Sequence, residues 1–230
     1  LENYVETHTG QFYRFKQEIE NIYFCENNIM IKDGKVYKFD KNRYELIDYF
    51  VVDKKNRTIK TRYLLGPVRY DAFLDDLNDL EKIEITKAPT KNNRFFRFYT
   101  KKGVVTVEVN LANQIVGYKN DNIQKIGDNF LEYNTAIEYF NAKNVQKIGN
   151  NFLELNNSLK TLNLPVAVSI GDEGLSNAES LQNIVLPDAT QLGEYCFWNA
   201  KNVKRVFAPK LIKIDLQCFN FSNNIDTFYA

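Results

Sequence analysis

The sequence predicts an α/β solenoid of about five to six 22-residue units over residues 111–230, preceded at 1–110 by a mixed α/β, hairpin-rich capping region. Two observations carry the solenoid. First, an Ile-Gly pair recurs every 22 positions: Ile126-Gly127, Ile148-Gly149, Ile170-Gly171, Leu192-Gly193 and, altered, Ile214-Asp215. Second, four apolar columns keep the same interval: Leu131, Leu153, Leu175, Phe197, Phe219; Ile137, Leu159, Leu181, Val203, Ile225; Phe140, Leu162, Ile184, Val206, Phe228; and Ala142, Leu164, Leu186, Ala208, Ala230. A unit this small cannot bury its own apolar face, so copies in register must stack on one another. The third observation is that the first 110 residues do not keep the interval.

In that first region, Phe12, Phe15, Ile19, Ile22 and Tyr23 fall at helical spacing behind a candidate cap, Thr9, and predict a helix. Ile29-Met30-Ile31 and Val36-Tyr37 flank Asp33-Gly34, which predicts a hairpin. Phe50-Val51-Val52 and Thr58-Ile59-Lys60 predict a second, and residues 95–99 and 104–109, around Lys101-Lys102-Gly103, a third. Leu74, Leu77, Leu80, Ile83 and Ile85 repeat the internal spacing of the coils, and Val104, Val109, Ala112, Ile115, Tyr118 and Ile123 sit on the 22-residue frame. The solenoid therefore begins either near residue 70, interrupted by the basic stretch 87–102, or after a third hairpin that caps the first coil. The second reading is favoured, because a solenoid end exposes an apolar cross-section.

Within one unit, Leu162-Asn163-Leu164 alternates as a short half-buried strand, and Pro165 ends it, as Pro187 and Pro209 do in the next units. The glycines mark a tight corner. Between corner and strand, Phe152, Leu153 and Leu159 point inward from a helical or irregular turn. The stacked strands then form a parallel sheet along one side.

Residues 170–187 (Ile170-Gly171, Leu175, Leu181, Ile184, Leu186-Pro187) and 192–209 (Leu192-Gly193, Cys196-Phe197, Val203, Val206, Pro209) resemble the BspA-like, Treponema-type leucine-rich repeats. The resemblance covers residues 118–230. Two features depart from the family pattern: its cysteine slot holds Asn134, Asn156, Ala178, Ala200 and Ser222, and Asp215 replaces the last glycine. The resemblance implies a secreted or cell-surface protein of a bacterium or protist that binds other proteins or host matrix.

Composition narrows the classes. A formal net charge of +1 argues against an electrostatic nucleic-acid binder. Apolar content of 44% and aromatic content of 14% suffice for a core. No apolar run reaches the ~18 residues of a membrane helix. No leader is visible, but the sequence opens on Leu1, so localisation cannot be read from that. Cys196 and Cys218 stand one unit apart and read as small buried hydrophobes, with a disulfide between stacked slots the lesser alternative. The chain has one histidine, His8, and no P-loop, Cys-x-x-Cys, His-Glu-x-x-His or Gly-x-Gly-x-x-Gly. No catalytic residue, cofactor or metal site is expected, and Asp75, Asp76 and Asp79 read as a solvated face. Asn156-Asn157-Ser158 and Asn220-Phe221-Ser222 match a glycosylation acceptor, but Asn156 occupies an inward slot and reads as an Asn bonded to the backbone of a neighbouring coil. Asn56-Arg57-Thr58 is more exposed and equally well a turn.

Binding is therefore the expected function. The positions between inward strand residues form two columns: Asn141, Asn163, Val185, Phe207, Tyr229, and Tyr139, Thr161, Asn183, Arg205, Thr227. From these, Tyr139, Asn163, Asn183, Val185, Arg205, Phe207 and Tyr229 are the candidate protein-binding residues, with Val185, Phe207 and Tyr229 forming an apolar stripe. Two other readings stand beside it. One is a self-assembling structural module, since Ala230 closes a strand position with no polar sequence after it, so that either further repeats follow or the end pairs with another molecule. The other is a carbohydrate or polyanion binder, in which Lys87, Lys91, Arg94, Arg97, Lys101 and Lys102 interleave with Phe95, Phe96, Phe98 and Tyr99; a hairpin with aromatics inward and cations outward explains that segment as well.

Overall fold

A computed structural model describes the backbone of residues 79–230 and, before them, of 3–7, 12–19, 22–25, 29–32, 35–40, 43–46, 49–53, 55–61 and 68–70; side chains are described at 55–58, 69–70, 79–80 and from 84 onward. The chain divides into two compact units, 1–101 with 109–113, and 102–108 with 114–230.

In the first unit, the strands are β1 (Asn3–Thr7), β2 (Phe12–Ile19), β3 (Ile22–Cys25), β4 (Ile29–Lys32), β5 (Lys35–Asp40), β6 (Arg43–Leu46), β7 (Tyr49–Asp53), β8 (Thr58–Thr61) and β9 (Val68–Arg69). Among the described residues they form a nine-stranded sheet in the order β6-β5-β4-β3-β2-β1-β7-β8-β9. The first two expected hairpins are present: Lys32 lies opposite Lys35 in the antiparallel pair β4–β5, and Asp53 opposite Thr58 in β7–β8. The exposed turn at 55–57 carries Asn56 and Arg57, the latter at φ 53°.

The helix expected over 12–23 is not formed. Residues 12–19 and 22–25 are strands, β2 pairing with both β1 and β3. The reason is local. The β2–β3 register slips between Phe15 and Gln17, and such a bulge breaks the period-two alternation and leaves apolar residues at spacings that imitate a helix. Aromatic and β-branched side chains at Phe12, Tyr13, Phe15, Ile19, Ile22 and Tyr23 favour the pleated alternative. No α-helix occurs among the described residues, so the helical part of the expected α/β class is corrected: the fold is an all-β solenoid with a β-sheet unit before it.

The coil-like spacing from Leu74 to Ile85 also resolves differently. Residues 71–78, with Asp75 and Asp76, lie outside the described residues. β10 (Leu80–Lys87) pairs antiparallel with β11 (Arg94–Thr100), Glu84 opposite Arg97, so no coil runs there. A start near residue 70 is thereby excluded. The third pair of predicted strands is present as β11 and β12 (Gly103–Val109). Gly103 has φ 128°, which only glycine adopts readily.

The second unit is the solenoid. Its first parallel rung joins β13 (Ile115–Asn120) to the coil that follows. That coil begins with β14 (Lys125–Ile126), turns through 128–133 and continues into β15 (Tyr139–Asn141). The pattern repeats in β16 (Lys147–Ile148), β17 (Thr161–Asn163), β18 (Ser169–Ile170), β19 (Asn183–Val185), β20 (Gln191–Leu192), β21 (Arg205–Phe207), β22 (Lys213–Ile214) and β23 (Thr227–Tyr229). Every rung pairs residues 22 apart, as in Tyr139↔Thr161 and Ile148↔Ile170. The two-residue strands form one continuous ladder, β14-β16-β18-β20-β22; the other strands fall into two, the six-residue β13 with the three-residue β15 and β17, and the three-residue β19-β21-β23.

The apolar columns are the core. Ile137, Phe140, Leu153, Leu159, Leu164, Leu175, Leu181, Leu186 and Phe197 are all 0–1% exposed. Burying a leucine to this extent contributes about 1.5–3 kcal/mol. Val145, Ala167 and Ala189 add a further buried column that the repeat pattern leaves unmarked. At its N-terminal end the core is aromatic: Tyr118 stacks on Phe140 at 4.8 Å and Phe140 meets Phe152 edge-on at 4.9 Å.

Two features of the coil are specified further by the structure. The segment after the glycine is not helical: its backbone alternates between right- and left-handed conformations, with φ of 59°, 55° and 58° at Asn129, Leu131 and Tyr133 and of 55°, 54° and 58° one coil later. A non-glycine residue in that region costs on the order of 1 kcal/mol. The alternation points N–H groups along the solenoid axis, where the next coil accepts them: Asn129 N on Asn150 O at 2.8 Å, Tyr133 N on Glu154 O at 3.0 Å, Asn177 N on Trp198 O at 2.8 Å. The prolines sit second in four-residue turns closed by bonds such as Ala189 N to Leu186 O at 3.2 Å.

The repeated glycine serves close approach, not a left-handed φ. Asp128 Oδ1 accepts from Asn150 N at 2.8 Å, Asn150 Oδ1 from Asp172 N at 2.9 Å, and Asp172 Oδ1 from Glu194 N at 2.8 Å. A Cβ at Gly149, Gly171 or Gly193 would strike that acceptor and the backbone of the preceding coil, whereas at Gly127 it would meet nothing. Where Glu194 replaces the short acceptor, Asp215 replaces the glycine, so the two columns change together. Gly171→Ala is accordingly expected to lower stability by about 1–3 kcal/mol and Gly127→Ala to leave it unchanged or slightly raised. Urea unfolding followed by circular dichroism reads both, and equal effects at the two positions would refute the close-approach role.

Candidate functional site

Alternation along the three-residue strands sets the central residue inward and its neighbours outward; Leu162 is only half-buried, and Phe228, on the last coil, is exposed. Phe140, Ile184 and Val206 are buried, and the flanking positions make the outer face of the two ladders. The seven candidate residues divide between them. Tyr139 and Asn163 lie on the ladder β13-β15-β17; Asn183, Val185, Arg205, Phe207 and Tyr229 come together on β19-β21-β23.

The first ladder is polar and internally satisfied. Tyr139 is half-buried and donates its phenol to Glu108 Oε2 at 2.8 Å. Its ring lies across the neighbouring strand, over Gly117, where a Cβ would collide with it. Burial first, and then the bond to the Glu108 carboxylate, push the Tyr139 phenol well above the usual tyrosine range. Asn163 donates from Nδ2 to Asn141 Oδ1 at 3.2 Å.

The second ladder is open and apolar. Val185, Phe207 and Tyr229 are 53%, 43% and 58% exposed. Val185 and Phe207 hold that exposure although coils stack on both sides of them. Phe207 and Tyr229 are 5.4 Å apart between centroids and 8° from parallel. Two rings that close cannot both lie flat on the sheet, so their faces turn toward each other and their edges outward. Arg205 and, beside it, Lys204 are exposed, with no ion-pair partner among the described residues. The neighbouring cations differ: Lys201 pairs with Glu179 at 3.0 Å and Lys210 with Asp188 at 2.6 Å. Lys204 was not among the residues singled out from the sequence, because it falls outside the two strand columns; only its adjacency to Arg205 signals it.

Other candidates are accounted for in packing. Asn156 is fully buried; its Nδ2 donates to Asn134 O at 2.6 Å and its Oδ1 accepts from Ser158 N and Leu159 N. That is the bond to a neighbouring coil expected of it. Ser222, in the equivalent slot, accepts from Ala200 N and donates to Phe197 O. Cys196 and Cys218 are buried free thiols, and burial raises the Cys196 thiol well above the cysteine range, which leaves it inert. In the basic segment, Phe96 and Phe98 are buried, Arg97 bonds Thr86 and lies 5.7 Å from the Phe95 ring, and Tyr99 bonds Glu84. Phe95, Arg97 and Tyr99, at the alternate positions of β11, are half-buried. His8 lies outside the described residues, among which no cluster of metal-binding side chains occurs and no helix is long and apolar enough to cross a membrane.

Residues 124–230 match the family model described as a BspA-type leucine-rich repeat region, in six copies. This part of the chain is a BspA-like leucine-rich repeat solenoid. The match starts at the coil in which β14 opens the continuous ladder and runs to the end of β23. No curated protein and no solved structure matches the chain. Repeats of this kind are typical of protein-interaction modules.

The raised Tyr139 phenol has a consequence for stability. Because its folded-state value lies above the 10.0 of a free tyrosine, its contribution is complete below that pH and is lost as pH rises past it. Tyr139→Phe is expected to remove about 1–3 kcal/mol near neutrality, by taking one hydrogen-bond donor from the buried Glu108 carboxylate, and to flatten the alkaline limb of the stability curve relative to the wild type. Denaturant midpoints measured across pH check this; parallel alkaline limbs would show that Tyr139 is not protected.

Proposed function

We propose that the chain is a non-catalytic protein-interaction or adhesion module that binds its partner on the outer face of β19-β21-β23. The observation that carries the reading is the contiguous exposed stripe Val185, Phe207 and Tyr229. Exposed apolar surface on a rigid, preorganised frame loses little entropy on binding, and Phe, Tyr and Arg suit the centre of an interface. The candidate residues Asn183 and Arg205 flank this stripe. Tyr139 and Asn163 extend the face on the polar side, where their internal bonds make them shape-defining rather than energetic contacts. The BspA-type repeats support a secreted or cell-surface setting and a protein partner, host or matrix protein included.

The test is direct. A partner recovered on the immobilised 1–230 chain is purified and titrated against variants by calorimetry. Phe207→Ala and Tyr229→Ala are each expected to weaken binding by about tenfold or more, while Lys147→Ala, on the opposite ladder, leaves it unchanged. Unaltered affinity in both aromatic variants would sink the assignment of this face.

A further inference from the structure

The charge beside the stripe specifies what it takes. Of the cations around β19-β21-β23, Lys201 and Lys210 are engaged by Glu179 and Asp188, whereas Arg205 and Lys204 have no ion-pair partner among the described residues. Arg205 and Phe207 project from the same face of β21, two residues apart, with Val206 buried between them. A partner that packs on Phe207 therefore places its adjoining residues against a guanidinium. An adjoining cation would be repelled and a neutral group would leave the guanidinium partly desolvated and unpaired. A carboxylate would accept a charge-assisted, bidentate bond.

The ring geometry narrows the class. Sugars bind aromatic residues by laying a pyranose face on an outward ring face, but Phe207 and Tyr229 turn their faces to each other. What they present outward is a row of ring edges beside the Val185 methyls, a shallow apolar ridge that suits an aliphatic or aromatic side chain.

Resting on the reading of this face as a protein-binding surface, we propose that β19-β21-β23 binds a protein segment carrying an apolar anchor residue next to a carboxylate. The anchor packs against Val185, Phe207 and Tyr229, and the carboxylate pairs with Arg205. Lys204 adds positive potential at the entry of the same strand and speeds encounter with an acidic segment.

The probe is three sets of short synthetic peptides with a central Leu, Phe or Trp, flanked by Asp/Glu, by Lys/Arg or by Ser/Asn, titrated with the intact chain by fluorescence anisotropy. Acidic-flanked peptides are expected to bind about tenfold tighter than neutral-flanked ones, with affinity that falls as salt rises. Arg205→Glu is expected to reverse the preference toward basic flanks, and Phe207→Asn to abolish binding of every set. Both side chains are exposed, and circular dichroism confirms that the variants remain folded. Binding through Phe207 without regard to the flanks, or a preference that Arg205→Glu leaves intact, overturns the charge assignment while the face itself stands. Acidic peptides that bind equally well to Phe207→Asn overturn the face as well. Binding to none of the three sets, or a dimer in sedimentation velocity that Phe207→Asn dissociates, assigns the ridge elsewhere and overturns the proposal.

Discussion

The solenoid depends on the distance between successive coils at the Ile-Gly corner. There the carboxylate or amide of Asp128, Asn150 or Asp172 reaches over and accepts the N–H of the residue 22 positions on. The acceptor and the incoming glycine occupy one small volume, so neither column is free to vary alone. The bond satisfies a main-chain donor at a corner where no strand partner is available. It also brings the two-residue strands into register, and they alone form an unbroken ladder through all the coils. The apolar columns supply more free energy, but they tolerate Ile, Leu, Val and Phe in the same slot. The corner fixes the spacing to which those side chains pack.

Given that spacing, inside and outside become independent. The central residues Phe140, Ile184 and Val206 are held by the core, and their two neighbours are left to face solvent. On the first ladder those positions are spent on internal bonds, Tyr139 with Glu108 and Asn163 with Asn141. On the second they carry an apolar stripe with unpaired cations beside it. The division between polar and apolar faces falls where the inner ladder itself is interrupted, between β17 and β19.

The solenoid was legible because its signal is long-range and repeated: five copies of one interval outweigh any local ambiguity. The candidate face followed from the same frame, since strand alternation alone separates Val206 from Arg205 and Phe207. Three things were hidden, each for a physical reason. The bulge between Phe15 and Gln17 shifted the phase of β2 and made a strand look helical. The alternating left-handed turns contain Leu and Tyr, not glycine, and no residue preference announces them; the inter-coil bonds that stabilise them are visible only once the coils are stacked. The glycine column announced only a tight corner, because spacing within one coil says nothing of what the preceding coil places above it. At the site, the tie between Tyr139 and Glu108 spans 31 residues and lies off the 22-residue frame.

The corner bond has a further meaning for how such a chain can change over generations. From Asp128 to Glu194 each coil gives its acceptor to the next, and the donor, acceptor and glycine all belong to the repeating unit. Duplicating or deleting a whole unit that carries this acceptor and glycine therefore recreates the corner bond at the new junction, whereas a gain or loss of any other length misaligns all columns at once. Copy number is a nearly neutral variable in this architecture, and the outward positions of a new copy begin as duplicates that drift without disturbing the core. A binding face of this kind grows by repetition first and acquires its selectivity afterwards, one exposed side chain at a time.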